Sequence, residues 1–114
     1  MAATYRDRLR QIALSEAGID GADFEHDAAH QHIDVPHIDA KALALARLAA
    51  LIAIGGADPS FGEHADAAVS AGASADEIVD VLVGVRTIVG EPRVVAAAPQ
   101  IALALGYDLD GAFG

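Results

Sequence analysis

The chain has no cysteine and no tryptophan, and only two tyrosines and three phenylalanines among its 114 residues. Without a thiol there is no disulfide framework, no thiolate nucleophile and no cysteine-based metal site, while the redox compartment stays open. Basic residues are scarce too: seven Lys and Arg stand against 17 Asp and Glu, a formal net charge of -10. Gripping phosphate requires a basic patch, so nucleic acid and anionic membrane are excluded as partners. The apolar run from Ala42 to Ala57 is interrupted by Arg47 and closes on Gly55-Gly56. It is too short and too marked for a membrane span and reads as a buried helix. The stretch from Met1 to Arg10 is charged throughout, without the apolar segment of a signal peptide, so a cytoplasmic location is expected.

What is present is aliphatic. Hydrophobic residues make up 54% of the chain and aromatic ones 4%, so Ala, Val, Leu and Ile must build the core, and small side chains let helices approach closely. The length suits one domain spanning residues 1–114. A domain of this size buries only about two-thirds of its unfolded surface. Several segments are nevertheless apolar on more than one face, and this surplus predicts contacts between copies of the chain.

The pattern is all-α, with about six helices and no strands. A first helix is expected from about Thr4 to Ala17, with Leu9 and Ile12 on one side, Arg6, Asp7 and Arg10 on the other, and Gly18 as its stop. Residues 18–39 hold His26, His30, His32 and His37 among acids, and read as a short helix with flanking loops. Asp39 is the N-cap expected for a helix over Ala40 to Ile54, whose Leu43, Leu45, Leu48, Leu51 and Ile52 leave no polar face and predict burial all round. Asp58-Pro59-Ser60 reads as a cap followed by proline in the first turn, opening a helix that ends at Gly72 with an apolar line of Phe61, Ala65, Ala68 and Val69. Ser74-Ala75-Asp76-Glu77 matches a capping box, and the helix behind it should reach Val89. Gly90 breaks that helix and Pro92 starts another. Pro99 is expected to kink or divide the stretch before Gly106, and the tail after Tyr107 to fray.

Four features carry possible chemistry. Arg47 is the only charge in its apolar helix, and its planar guanidinium pairs with carboxylates through two parallel bonds. Its partner is a ligand or another subunit's acid; the competing reading is a structural ion pair or a side chain reaching for the surface. Arg86 raises the same question, on the line of Val79, Leu82 and Val83 rather than beside Asp80 and Thr87. His64 follows Phe61 by one turn and sits beside Glu63, where a histidine serves either as a proton-transfer group or as a hydrogen-bonded boundary residue. His26 and His30 stand at the i, i+4 spacing by which a helix offers two imidazoles to one metal, with His32, Glu25, Asp27 and Asp34 nearby. No recognised motif surrounds them, so the composition favours a solvated polar loop and no metal ligand is assigned. Asp76 and Glu77 are assigned to helix capping.

The blocks "IDAKALALARLAALIAIGG" and "EHADAAVSAGASADEIVDVL", followed by Gly90-Glu91-Pro92, together resemble the carboxymuconolactone decarboxylase family, which includes the alkylhydroperoxidase D-like proteins. The resemblance covers about Ile38 to Ala104 and is most specific at His64, Gly72, Ala73-Ser74 and Asp76-Glu77-Ile78. It implies a helical fold that assembles as homotrimers or homohexamers with active sites near subunit contacts. In the peroxidase branch a Cys-x-x-Cys pair precedes the histidine matched by His64, and a glutamate on the preceding helix relays protons. Here those positions fall on Ala57, Ser60 and the neighbourhood of Ala44, so thiol peroxidase chemistry is lost. The decarboxylase branch, a lyase, needs no cysteine and acts on a lactone bearing carboxylates. The resemblance therefore implies His64 as the catalytic proton-transfer group and Arg47 and Arg86 as anchors for a small anionic substrate, with no cofactor. The family often has acidic and basic residues just before this histidine, whereas this chain has Ser60-Phe61-Gly62-Glu63. The alternative is a non-catalytic oligomeric or ligand-binding member of the same fold.

Overall fold

The computed structural model describes residues 4–15 and 35–107. Within them the chain is all-helical: α1 (Tyr5–Ala13), α2 (Ala40–Ile54), α3 (Asp58–Ser70), α4 (Ala75–Val89) and α5 (Glu91–Ala104). The sixth helix expected between residues 18 and 39 lies largely outside the described residues, as does the tail after Tyr107. Among the described residues no helix is long and apolar enough to cross a membrane.

Side-chain caps fix most of the helix starts. The Asp39 carboxylate accepts from the Ala42 amide at 2.7 Å and opens α2. At α4 the capping box forms as expected: Ser74 Oγ accepts from the Glu77 amide at 3.0 Å, and Glu77 Oε1 accepts from the Ser74 amide at 2.9 Å. A second box, unanticipated, opens α1 between Thr4 and Asp7. The cap position expected at Asp58 falls instead on Ala57: α3 begins at Asp58 itself, Ala57 makes no side-chain cap, and Pro59 lies in the first turn, where a missing amide costs nothing. Two helices end in the same way. Beyond α3 the Ala73 amide donates to Ala68 O and the Gly72 amide to Val69 O; beyond α5 Tyr107 and Gly106 repeat the pattern onto Ala102 and Leu103.

The core is formed by α2 to α5. Leu48 and Ile52 of α2, Phe61, Ala65 and Ala68 of α3, Ile78 and Leu82 of α4, and Val94, Ala97 and Ile101 of α5 are buried together with Ala73. α3 packs on both α5 and α2, α2 on α4, and α4 on α5. Ala65, Ala68 and Ala97 are fully buried, so the α3–α5 contact is built largely on small side chains. Among the described residues no polar or charged side chain is buried. One ion pair ties two helix starts together, Lys41 Nζ to Glu77 Oε2 at 3.0 Å. The Ser74 amide and then Lys41 hold the Glu77 carboxyl below its ordinary range, while hydrogen bonding to Glu77 raises Lys41.

Four further expectations need correction. The first helix stops at Ala13 rather than Ala17 and buries none of its residues, with Leu9 and Ile12 both exposed; among the described residues no core surface holds its last turn. α2 is not buried all round: only Leu48 and Ile52 are fully enclosed, because neighbouring helices cover one side of it. Val69 is exposed rather than in line with Phe61, Ala65 and Ala68. Pro99 does not divide α5, which runs unbroken from Glu91 to Ala104. Pro99 itself is exposed, and Ala97 and Ile101 on either side of it are locked into the core.

Candidate functional site

His64 is half-buried on α3, one turn beyond the N-terminal end of that helix. Its Nδ1 lies 2.9 Å from the carbonyl oxygen of Ser60. A carbonyl only accepts, so Nδ1 carries the hydrogen, and in the neutral ring the lone pair belongs to Nε2. The imidazole is thereby oriented, with one nitrogen committed to the backbone and the other available to exchange a proton.

Arg47 is half-buried on α2 and makes no hydrogen bond or ion pair with another described residue. Arg86 is exposed on α4, and its Nε meets Glu91 Oε1 at 3.0 Å, with the two side chains 53% and 66% accessible. A solvated pair of this kind contributes little to stability. No hydrogen bond or ion pair joins His64, Arg47 and Arg86 to one another among the described residues.

A pocket of about 460 Å³ opens where the α2–α3 connection faces the start of α5. Gly55, Gly56, Phe61, Pro92, Arg93 and Ala96 line it, and none of the three residues singled out from sequence does. The positions flanking Ser60 and Ala57 are thus part of its wall, through Phe61 on one side and Gly56 on the other. Arg93 supplies its charge. Gly55 has left-handed backbone (φ 76°, ψ 65°), and the Arg93 guanidinium lies where a β-carbon on Gly55 would stand. Gly55 thus both closes α2 and makes room for a cation at the negative end of that helix.

Sequence reasoning missed Arg93. A signal existed: it lies in the first turn of α5, where the helix dipole disfavours a cation, so an arginine there has reason to reach elsewhere. Among the described residues no group of three metal-ligating side chains converges. The histidines at 26, 30 and 32 lie outside the described residues, and His37 is exposed.

Comparison with known proteins agrees with the helical architecture. The carboxymuconolactone decarboxylase family model matches residues 22–102, so the chain belongs to that family. The match begins ahead of Ile38, where the quoted blocks start. No curated protein and no solved structure matches the chain.

Proposed function

We propose that this member of the carboxymuconolactone decarboxylase family acts on a small carboxylate- or lactone-bearing molecule by proton transfer at His64, with no thiol step. The observation that carries the reading is the 2.9 Å contact from His64 Nδ1 to Ser60 O, which leaves Nε2 as the exchanging atom. Arg47, half-buried with no partner among the described residues, and Arg93 in the pocket are suited to hold the anion. Arg86 joins them only if a substrate carboxylate displaces Glu91. The working form is a homotrimer or homohexamer. Supporting it are the exposed aliphatic side chains of the bundle, among them Ile54 at 73%, Val83 at 57% and Ile88 at 84% accessibility.

The test uses a panel of lactone carboxylates and keto-carboxylates incubated with the protein in D₂O. Proton NMR follows exchange or loss of the C–H beside the carbonyl. Turnover is expected for at least one compound, falling about 10²- to 10⁴-fold in His64→Gln, while Arg93→Ala raises KM. Unchanged turnover in His64→Gln sinks the proton-transfer reading.

A second reading rests on the pocket itself, whose lining includes Arg93 but not His64. Under it the chain binds small carboxylates without converting them. Calorimetry would then show binding that Arg93→Ala weakens and His64→Gln leaves intact, with no exchange in D₂O.

A further inference from the structure

Two apolar faces are left unfilled by the described residues. On α1, Tyr5, Leu9 and Ile12 recur at i, i+4 and i+7 and so share one side of the helix. They are 66%, 59% and 72% accessible, and no residue of α1 is buried. On α4, Val79 and Val83 stand one turn apart on the outer side, exposed, with Asp76 and Asp80 exposed beside them; Arg86, the next residue along this line, is offset by its pair with Glu91.

Charge distinguishes these faces. α1 carries Arg6, Arg8 and Arg10 against a single acid, Asp7. Three of the seven basic residues are therefore on this one helix, leaving four against sixteen acids in the rest of the chain. A short basic amphipathic helix and an acid-rimmed aliphatic face are complementary in both apolar character and sign. A nine-residue helix is too short to persist in water on its own propensity and needs a surface to pack on.

We propose that α1 is an exchange arm that docks on α4 of a second copy of this chain. Tyr5, Leu9 and Ile12 cover Val79 and Val83, and the arginines of α1 face Asp76 and Asp80. The described residues of one chain leave both faces open, and reciprocal exchange between copies fills both with a single kind of contact. The inference rests on the self-assembly included in the proposed function and specifies a surface that the assembly uses.

Because the chain has no cysteine, a single introduced thiol reports one contact cleanly. Leu9→Cys protein carrying an affinity tag is mixed with untagged Val83→Cys protein and oxidised. Non-reducing electrophoresis is expected to show the mixed disulfide dimer in clear excess over either homodimer. In parallel, sedimentation velocity of the triple variant Arg6→Glu/Arg8→Glu/Arg10→Glu is expected to show a shift toward smaller species than the unaltered chain. Absence of the mixed dimer overturns the proposal. So does a Leu9→Cys/Val83→Cys double variant that loses its free thiols while remaining a single chain on the gel, since α1 would then fold back on its own α4. Sedimentation of the unaltered chain separates the two readings. An assembly without the mixed disulfide defeats the arm alone, and a monomer defeats self-assembly as well.

Discussion

Replacing Gly55 by alanine tests how the pocket and the end of α2 are coupled. Gly55 has φ 76° and ψ 65°, and its amide donates to Leu51 O at 2.9 Å to close the helix. An L-residue in this left-handed conformation costs roughly 1–2 kcal/mol. The new β-carbon also meets the Arg93 guanidinium, but that is the tip of a flexible side chain and can swing aside. Most of the penalty is therefore backbone. Gly84 provides the opposite control: it lies mid-α4, exposed, with no atom within 4 Å of an added β-carbon. Alanine there gains helix propensity of about 0.8–1 kcal/mol. At about 2.1 cal/mol/K of unfolding entropy per residue, 1 kcal/mol corresponds to about 4 °C in a chain of this length. Gly55→Ala should then lower the melting temperature by about 4–8 °C, and Gly84→Ala should raise it by about 3–4 °C. Both are read by circular dichroism at one protomer concentration, since assembly shifts apparent stability. In an Arg93→Ala background the Gly55→Ala penalty should persist. A neutral or stabilising Gly55→Ala refutes the left-handed assignment, and disappearance of the penalty with Arg93 removed would mean that the clash dominates.

Two further outcomes follow from the helix starts. Glu77 has its folded pKa depressed below the ordinary 4.5, first by the Ser74 amide and then by Lys41, so its stabilising effect is present above that value and fades as pH falls through the depressed one. Glu77→Gln should be less stable than the unaltered chain at neutral pH, with the gap narrowing on acidification below about pH 4.5; a gap independent of pH in urea titrations would refute the ionic contribution. In the double variant Ala57→Cys/Ser60→Cys, mild oxidation should close a disulfide within one chain. The Ser60 amide donates to Ala57 O at 2.9 Å, a turn that brings the two α-carbons within about 7 Å, close to bridging range. Thiol titration that finds both sulfurs free, or bridges only between chains, would refute it.

What was legible in the sequence was mostly local. Asp39 and the Ser74–Glu77 box start α2 and α4 as expected, because a cap needs only residues three positions apart. Gly55, Gly72, Gly90 and Gly106 all have positive φ, at or just beyond the helix ends. Burial was less legible. The aliphatic run of α2 gives no information on how many helices will surround it, and the answer leaves Ala42, Ala46 and Ala50 exposed. The length of α1 is hidden for the same reason: periodicity continues past Ala13, but Leu14, next in the chain, finds no core among the described residues and is exposed. Spacing singles out Arg47 and Arg86 because each interrupts an apolar line. Neither the Arg86–Glu91 pair nor the approach of Arg93 to Gly55 can be read from spacing, since the first turns on side-chain rotamers and the second joins the start of α5 to the end of α2.

The bond from His64 to the backbone bears on what loss of the cysteines changes. Ser60, one of the two positions where the resemblance places a thiol, offers its carbonyl to Nδ1, and a carbonyl is the same whatever side chain the residue carries. The tautomer of the ring is therefore set by the backbone of the first turn of α3, independently of serine or cysteine at that position. A thiol at position 60 would meet an imidazole already committed at Nδ1, so any proton it lost to His64 would have to go to Nε2. Without the thiol, Nε2 keeps the same direction and the same lone pair, because both follow from the Nδ1 bond to Ser60 O. The lone pair at Nε2 thus does not depend on a thiol at position 60, and for that reason the proposed catalytic reading rests on His64 rather than on the arginines.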